Sequence, residues 1–291
     1  MEINKIREVN LNYTPEIMVI SLSGGMDSTA LLLNGLERGF KVYALSFNYG
    51  QRHIVELDRV KKNIEYLNSK GFKVKHTIID ISILGKLFNS ALTSNNIKIP
   101  EGHYANENMK TTVVPNRNAI FSSIAYGYAL SLAKEFKTKA YIALGIHTGD
   151  HDIYLDCRKE FRDALEYAFK IGNWGSENVS YDTPYLTLDK LGILQDARYR
   201  LIQLMFNGNG EEFDEDKFKI AFNTIFSNTN TCYNPDKEGR SCGKCGSCQE
   251  RLLAFHGMMI PDPVPYQSDF EELTQAAIAS EIKFQNDNKH K

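Results

Sequence analysis

As far as Gly145, apolar runs of strand length alternate with longer runs of helical period, and this alternation constrains the fold more than any other feature. Residues 16–22, 41–47, 73–79 and 140–145 read as strands. Residues 27–38, 53–69 and 119–133 read as helices, the second carrying Val55, Val60, Ile64 and Leu67 on one face. Such an order predicts an α/β fold with a doubly wound parallel sheet. Ligands of such sheets lie beyond the carboxyl ends of the strands. The turn at 23–28, the segment 48–53 and the segment 147–150 all follow strands, so they are expected to face one crevice. The stretch from 80 to 115 is long and carries Asn, Gly and Pro, which predicts a functional loop or lid with only short helices.

The first of these turns reads Ser23-Gly24-Gly25-Met26-Asp27-Ser28. Two glycines permit a tight fold in which successive N–H groups point into one concave turn at the start of a helix, a natural anion site. Ser23 and Ser28 add hydroxyl donors. The turn lacks the lysine of a G-x-x-x-x-G-K-[ST] loop and does not match G-x-G-x-x-G. It resembles the pyrophosphate loop of the ATP pyrophosphatase family, whose members have an adenine nucleotide alpha hydrolase-like sheet. That resemblance implies ATP as cosubstrate, cleaved between its α and β phosphates with AMP passing to a substrate oxygen. It places the nucleotide on Leu22, Ser23, Gly24, Gly25, Met26, Asp27, Ser28 and Thr29.

Composition narrows the partners. In 291 residues the charged fraction is 24% and the formal net charge −2, so no global basic field draws the chain onto nucleic acid. The stretch from Met1 to Asn12 mixes charges with single apolar residues and has no signal-peptide core. No run approaches the ~20 apolar residues of a membrane span. A cytoplasmic protein is expected. Three regions are expected: a nucleotide-binding α/β domain at 1–175, a helical region with the cysteines at 176–267, and a polar tail at 268–291 that docks or frays. Further helices are expected at 160–171, 188–205 and 249–256.

Four of the five cysteines form the pattern Cys232-x9-Cys242-x2-Cys245-x2-Cys248. Short Cys-x2-Cys spacings let thiolates converge on one ion, and four sulfur ligands close a tetrahedral structural zinc site. An iron–sulfur cluster is the rival occupant. Cys157 stands alone between Asp156 and Arg158, as a buried spectator or a site residue.

Further stretches sharpen the family resemblance. They are Phe47-Asn48-Tyr49-Gly50-Gln51-Arg52-His53, Val114-Pro115-Asn116-Arg117-Asn118, Gly145-Ile146-His147-Thr148-Gly149-Asp150 and Asp156-Cys157-Arg158-Lys159-Glu160-Phe161, with Thr183-Pro184 and Thr231-Cys232-Tyr233. Together, across roughly 17–255, they resemble the 7-cyano-7-deazaguanine synthase family. The resemblance implies conversion of 7-carboxy-7-deazaguanine, ATP and ammonia into the nitrile through an adenylate and an amide. It implies that Asp27 acts through Mg²⁺, and that Arg117 neutralises phosphate or the substrate carboxylate. Lys190 is expected to face phosphate. His53 or His147 would manage protons during amide formation; Asp150, Asp156 and Arg158 are candidates for reading the base, with either aspartate open to that part, and Asn118 and His147 are further substrate-binding candidates. Tyr49, Phe121 and Tyr154 are candidates for stacking on it. A homodimer is implied as well.

The chain departs from the family between Lys190 and Thr231, where extra residues fall around 201–223. The acidic Glu211, Glu212, Asp214, Glu215 and Asp216 predict a solvated surface insertion; the alternatives are a cover for the site or a partner-recruiting element. This leaves the amine open: ammonia, or another amine such as one on a protein, with the reaction stopping at the amide. Two remoter readings are a tRNA-thiolating enzyme, which needs a catalytic cysteine pair and a basic surface, and a nucleotide-binding module without turnover. The closed-site cysteine pattern and slight negative charge oppose the first, and the intact glycine turn with Asp27 opposes the second.

Overall fold

The computed structural model describes residues 14–288; the stretch from Met1 to Asn12 lies outside them. Five strands, β1 (Ile17–Ser21), β2 (Lys41–Asn48), β3 (Val74–Asp80), β4 (Ala140–Ala143) and β5 (Val179–Asp182), form one sheet in the order β3-β2-β1-β4-β5. Every pairing is parallel. Ile17, Met18, Val19 and Ile20 in the central strand are all fully buried, as a strand covered on both faces must be. The alternation of side chains sorts them: Met18 and Ile20 join one core, Ile17 and Val19 the other.

The first core lies under α1 (Met26–Glu37), α2 (Val55–Ser69) and α5 (Lys190–Met205); the second lies under α3 (Arg117–Phe136) and includes all five cysteines. Helix α4 (Lys159–Gly172) leads to β5. Sequence reading did not expect that edge strand: four residues, half of them polar, carry too short a pattern to stand out. The chain order reverses between β1 and β4, which places the crevice above their carboxyl ends.

The 80–115 stretch does carry only short helices, 3₁₀ turns at Ser82–Lys86 and Glu107–Thr112. It is packed rather than loose: Ala91, Leu92, Ile99, Met109 and Val114 are buried. Its Gly102 N–H donates to the Lys244 carbonyl, tying it to the cysteine segment.

The expected surface insertion at 201–223 is half wrong. The acidic run 211–216 is exposed apart from a partly covered Asp214, but α6 (Glu215–Ser227) follows at once. Asp214 caps it, accepting from the N–H groups of Asp216 and Lys217. Phe218, Ala221, Phe222, Ile225 and Phe226 recur at helical spacing and enter the same core as Met18 and Leu31. Burial of that aromatic stripe outweighed the acidic composition. The polar tail docks: Leu273 and Ala277 of α8 (Phe270–Asn288) pack on Leu252 of α7 (Gly246–Gly257). Among the described residues no helix is long and apolar enough to cross a membrane.

Candidate active site

Residue Gly25 precedes α1 in extended backbone and supplies no side-chain cap. The N–H groups of the first helical turn therefore lack intrahelical acceptors and open toward the crevice. Ser23 Oγ accepts from Gly25 N–H at 3.2 Å and lies 3.0 Å from Ser28 Oγ. Gly24 turns the chain at φ +88°; a Cβ there would sit 2.7 Å from the Glu56 carbonyl oxygen. Behind the turn, the Asn230 N–H donates to the Gly24 carbonyl, and the Met26 N–H reaches Thr231 Oγ1 at 3.4 Å.

Thr231 is held in turn by Arg251, a guanidinium only 1% exposed. Arg251 forks onto Asp262 at 2.6 and 2.8 Å and also donates to Thr229 Oγ1 at 2.7 Å. Burial opposes its charge, but Asp262 more than restores it. Arg251→Ala leaves a buried carboxylate unpaired and is expected to cost about 3–5 kcal/mol, read as a lower denaturation midpoint.

One charged cluster lies under the crevice floor. Lys190 Nζ donates to Asp27 Oδ2 at 2.8 Å and lies 2.9 Å from His147 Nε2 and 3.5 Å from Glu250 Oε2. Its position at the first turn of α5, behind the Asp189 cap, buries the ammonium. Burial alone would raise the Asp27 pKa; Lys190 first and then His147 hold the carboxyl below the ordinary range. Glu250 is pushed up by burial despite Lys190. Asp27 Oδ1 is buried with no hydrogen-bond partner. An orphaned anionic oxygen beside the uncapped glycine turn is a fit donor for a divalent cation.

The far wall is aromatic and cationic. Phe47 and Phe121 stack at 4.0 Å with nearly parallel planes, and Tyr49 leans on Phe121 at 5.6 Å. The Arg117 guanidinium lies 5.8 Å from the Tyr49 ring centroid. Tyr154 OH bonds Thr112 Oγ1 at 2.6 Å and Tyr233 OH at 3.1 Å. Ser23, Gly25, Asp27, Ser28, Lys190, Arg117, Asn118, Asp150 and His53 all line the resulting cleft of about 190 Å³.

The four cysteines form a second centre. Their sulfurs lie within 4.8 Å of one another, with Cys242 and Cys248 at 3.9 Å. A tetrahedral ion with bonds of about 2.3 Å needs sulfur separations of about 3.8 Å, so the set fits one metal ion. Cys232 Sγ also accepts N–H groups from Asn234 and Cys242, each at 3.2 Å.

The sequence profile of the queuosine biosynthesis protein QueC matches residues 17–259. The chain belongs to the QueC family. It is 41% identical to 7-cyano-7-deazaguanine synthase 1 of Colwellia psychrerythraea over 87% of this chain and 99% of that protein. Against 7-cyano-7-deazaguanine synthase 2 of the same organism it is 42% identical over 86% and 98% of the two chains. The enzyme of the same name from Hahella chejuensis is 41% identical over 90% and 98%.

Within this QueC-family chain the expected residues separate into three groups. Those just named line the cleft. Leu22, Met26 and Thr29 are buried behind it, and His147 reaches the site through Lys190, with Asp27 at 3.8 Å and Asp150 at 3.6 Å. Asp156 instead accepts the Asn118 N–H at 3.3 Å, holding the start of α3. Arg158 is exposed and donates to the His151 carbonyl. Cys157, by contrast, lines the cleft itself, buried in contact with Asn118 Nδ2 at 3.3 Å.

Sequence reasoning gave no role to Glu56, Asn230, Tyr233, Ser247 or Glu250. All but Glu250 line the cleft, and Glu250 faces Lys190. A signal existed for some: Glu56 lies one helical turn beyond His53, and Tyr233 and Glu250 flank the cysteines.

Proposed function

We propose that this chain is a 7-cyano-7-deazaguanine synthase: it adenylates 7-carboxy-7-deazaguanine with ATP, replaces AMP by ammonia, and activates the resulting amide again to form the nitrile. The observation that carries this reading is the uncapped glycine turn of α1 opening onto one cleft with Lys190, Arg117 and Asp150, in a QueC-family chain. A carboxylate is a poor electrophile. Passing its oxygen to the α-phosphorus, with loss of pyrophosphate, makes AMP the leaving group that ammonia displaces. The amide oxygen is then adenylated in the same way, and loss of AMP and a proton leaves the nitrile.

In this reading Ser23, Ser28 and the N–H groups between them take the departing pyrophosphate, with Lys190 neutralising it. Mg²⁺ would be held through Asp27 Oδ1 and would shield the phosphate charge from that carboxylate. Phe121 and Tyr49 supply the stacking wall, and Arg117 meets the substrate carboxylate. Asp150 accepts from the ring N–H and amine of the base, since Asp156 is already engaged at the α3 terminus. Zinc in the four-cysteine centre holds the fold without touching substrate. A homodimer belongs to the same reading, with the exposed Tyr167, Ile171 and Trp174 on and beyond α4 as an available apolar surface.

The test incubates the protein with ATP, Mg²⁺, 7-carboxy-7-deazaguanine and ammonium and identifies products by mass spectrometry. AMP with nitrile is expected. AMP with the amide alone, or transfer to a protein amine, would mean that the second activation is absent. Base-independent AMP, or none, would refute the reading. Gly24→Ala forces a Cβ into the Glu56 carbonyl at an unfavourable φ. It is expected to cost about 1–3 kcal/mol and to lower AMP formation by about 10²-fold, measured by thermal melting and product assay.

A further inference from the structure

Like Asp27 Oδ1 and Asn230 Oδ1, Nδ1 of His53 on the cleft wall is buried without a hydrogen-bond partner. Its other ring nitrogen faces the end of a hydrogen-bonded chain that starts from the backbone. Gln51 Oε1 accepts the Tyr49 N–H at 2.9 Å, and its Nε2 donates to the Phe47 carbonyl at 2.9 Å. These two bonds fix which end of the amide is which. The same Nε2 donates to Glu56 Oε1 at 2.9 Å, so that oxygen is an acceptor. Glu56 Oε2 is left facing His53 Nε2 at 3.5 Å. A proton on the Glu56 carboxyl therefore resides on Oε2 and points at Nε2. The imidazole must then accept at Nε2 and carry its own proton on Nδ1.

We propose that Glu56 is a positioning residue that holds His53 in the Nδ1–H tautomer, so that the ring offers a neutral hydrogen-bond donor to an oxygen of the molecule bound in the cleft. This rests on the reading that the cleft takes the deazaguanine acid, whose carboxyl and ring carbonyl oxygens are such acceptors. A neutral donor suits the task. It polarises an oxygen without delivering a full proton that would quench the incoming amine.

The surroundings keep both partners uncharged. Glu56 faces Gln51 and His53 from its own segment, Tyr49 from the end of β2 and Arg117 from α3. His53 faces Tyr233 as well, at 5.9 Å between rings, and the charges of Arg52 and Arg117. Burial pushes Glu56 up to about 8, against Gln51 and Arg117, and burial with Arg117 and Arg52 pushes His53 down to about 3. Between those values the pair is neutral. Above the upper one Glu56 loses its proton, its Oε2 needs a donor, and His53 turns to the Nε2–H tautomer. The cleft then meets a lone pair instead of a donor. The neighbouring Tyr49 and Tyr154 sit at about 12 and do not titrate in that window.

The test uses full-length protein labelled with ¹⁵N-histidine, followed by long-range ¹H–¹⁵N spectra from neutral to alkaline pH, with His53→Gln to assign the signal. The wild type is expected to hold the proton on Nδ1 at neutral pH and to move it to Nε2 with a midpoint near 8. In Glu56→Gln the side-chain NH₂ replaces the carboxyl proton, and Nδ1–H should persist throughout. Matching kinetics should show an alkaline fall in acid-dependent AMP release for the wild type and none for Glu56→Gln. Nε2–H in the wild type at neutral pH, or an unchanged alkaline limb in Glu56→Gln, would overturn the proposal. Should that variant fail to fold, the wild-type titration alone decides. Absence of any acid-dependent AMP release with the expected tautomer would refute the functional reading instead.

Discussion

In Lys190→Met, AMP release dependent on the deazaguanine acid is expected to fall by about 10³-fold, because the variant removes the buried cation that pairs with Asp27 and lines the same cleft as the glycine turn. The same change costs stability. Lys190 neutralises Asp27 at 2.8 Å and Glu250 at 3.5 Å, and both carboxylates would be left buried without it. Loss of one partner from such a cluster is worth about 3–5 kcal/mol. The pH dependence separates the two effects. Asp27 is held below the usual carboxylate range in the folded wild type. Its contribution is therefore present above the unfolded pKa of about 3.9 and lost as pH falls through the lower folded value. Without Lys190, burial is opposed at Asp27 only by His147 and Arg251, so its pKa rises above the wild-type value and acid relieves the variant rather than harming it. The gap in denaturation midpoint between wild type and Lys190→Met should shrink as pH falls. A constant gap would show that Asp27 and Lys190 are not paired.

The second large effect is expected at the cysteine centre. Cys245→Ser should abolish metal binding, measured as the loss of about one zinc per chain by elemental analysis, and should lower the melting temperature by about 10 °C or more. The size follows from what hangs on the cluster. Cys245 precedes α7, Cys248 lies in its first turn, and the same helix carries Arg251, which secures Thr231 under the glycine turn. Tyr233 beside Cys232 closes the cleft wall. Activity should therefore disappear together with the metal, although no cysteine of the cluster lines the cleft. A metal-free variant that keeps its melting temperature and its turnover would contradict a structural role. Brief chelation of the wild type should reproduce the loss, and zinc should restore it while the chain is still folded.

The site was legible where its chemistry is local in the chain. The glycine turn, the strand before it and the helix after it are contiguous, so their arrangement follows from chain geometry alone. The Cys-x2-Cys spacings speak through the same short-range constraint, and the four sulfurs do converge. Arg158 illustrates the opposite case. It follows Asp156 in a motif that looked as one unit, yet it points to solvent while its neighbour Cys157 is buried. A 3₁₀ turn at Leu155–Cys157 sends successive side chains in different directions, and no pattern in so short a segment announces it. Helix α6 shows composition misleading: five acidic residues hid an aromatic stripe that begins only two residues after them.

By itself, the sequence determined the parallel α/β sheet, the glycine turn at the end of β1, the four-cysteine centre and the family. Each is written in residues near one another or in a period that burial enforces. Only the tertiary structure decided that Lys190 reaches Asp27 across 163 positions of chain, that Arg251 braces the turn, and that Glu56 and His53 share one polar contact on the cleft wall. Those facts depend on how helices from distant parts of the chain settle on the sheet. Side-chain packing fixes that to within an ångström, and no local pattern of residue types encodes it.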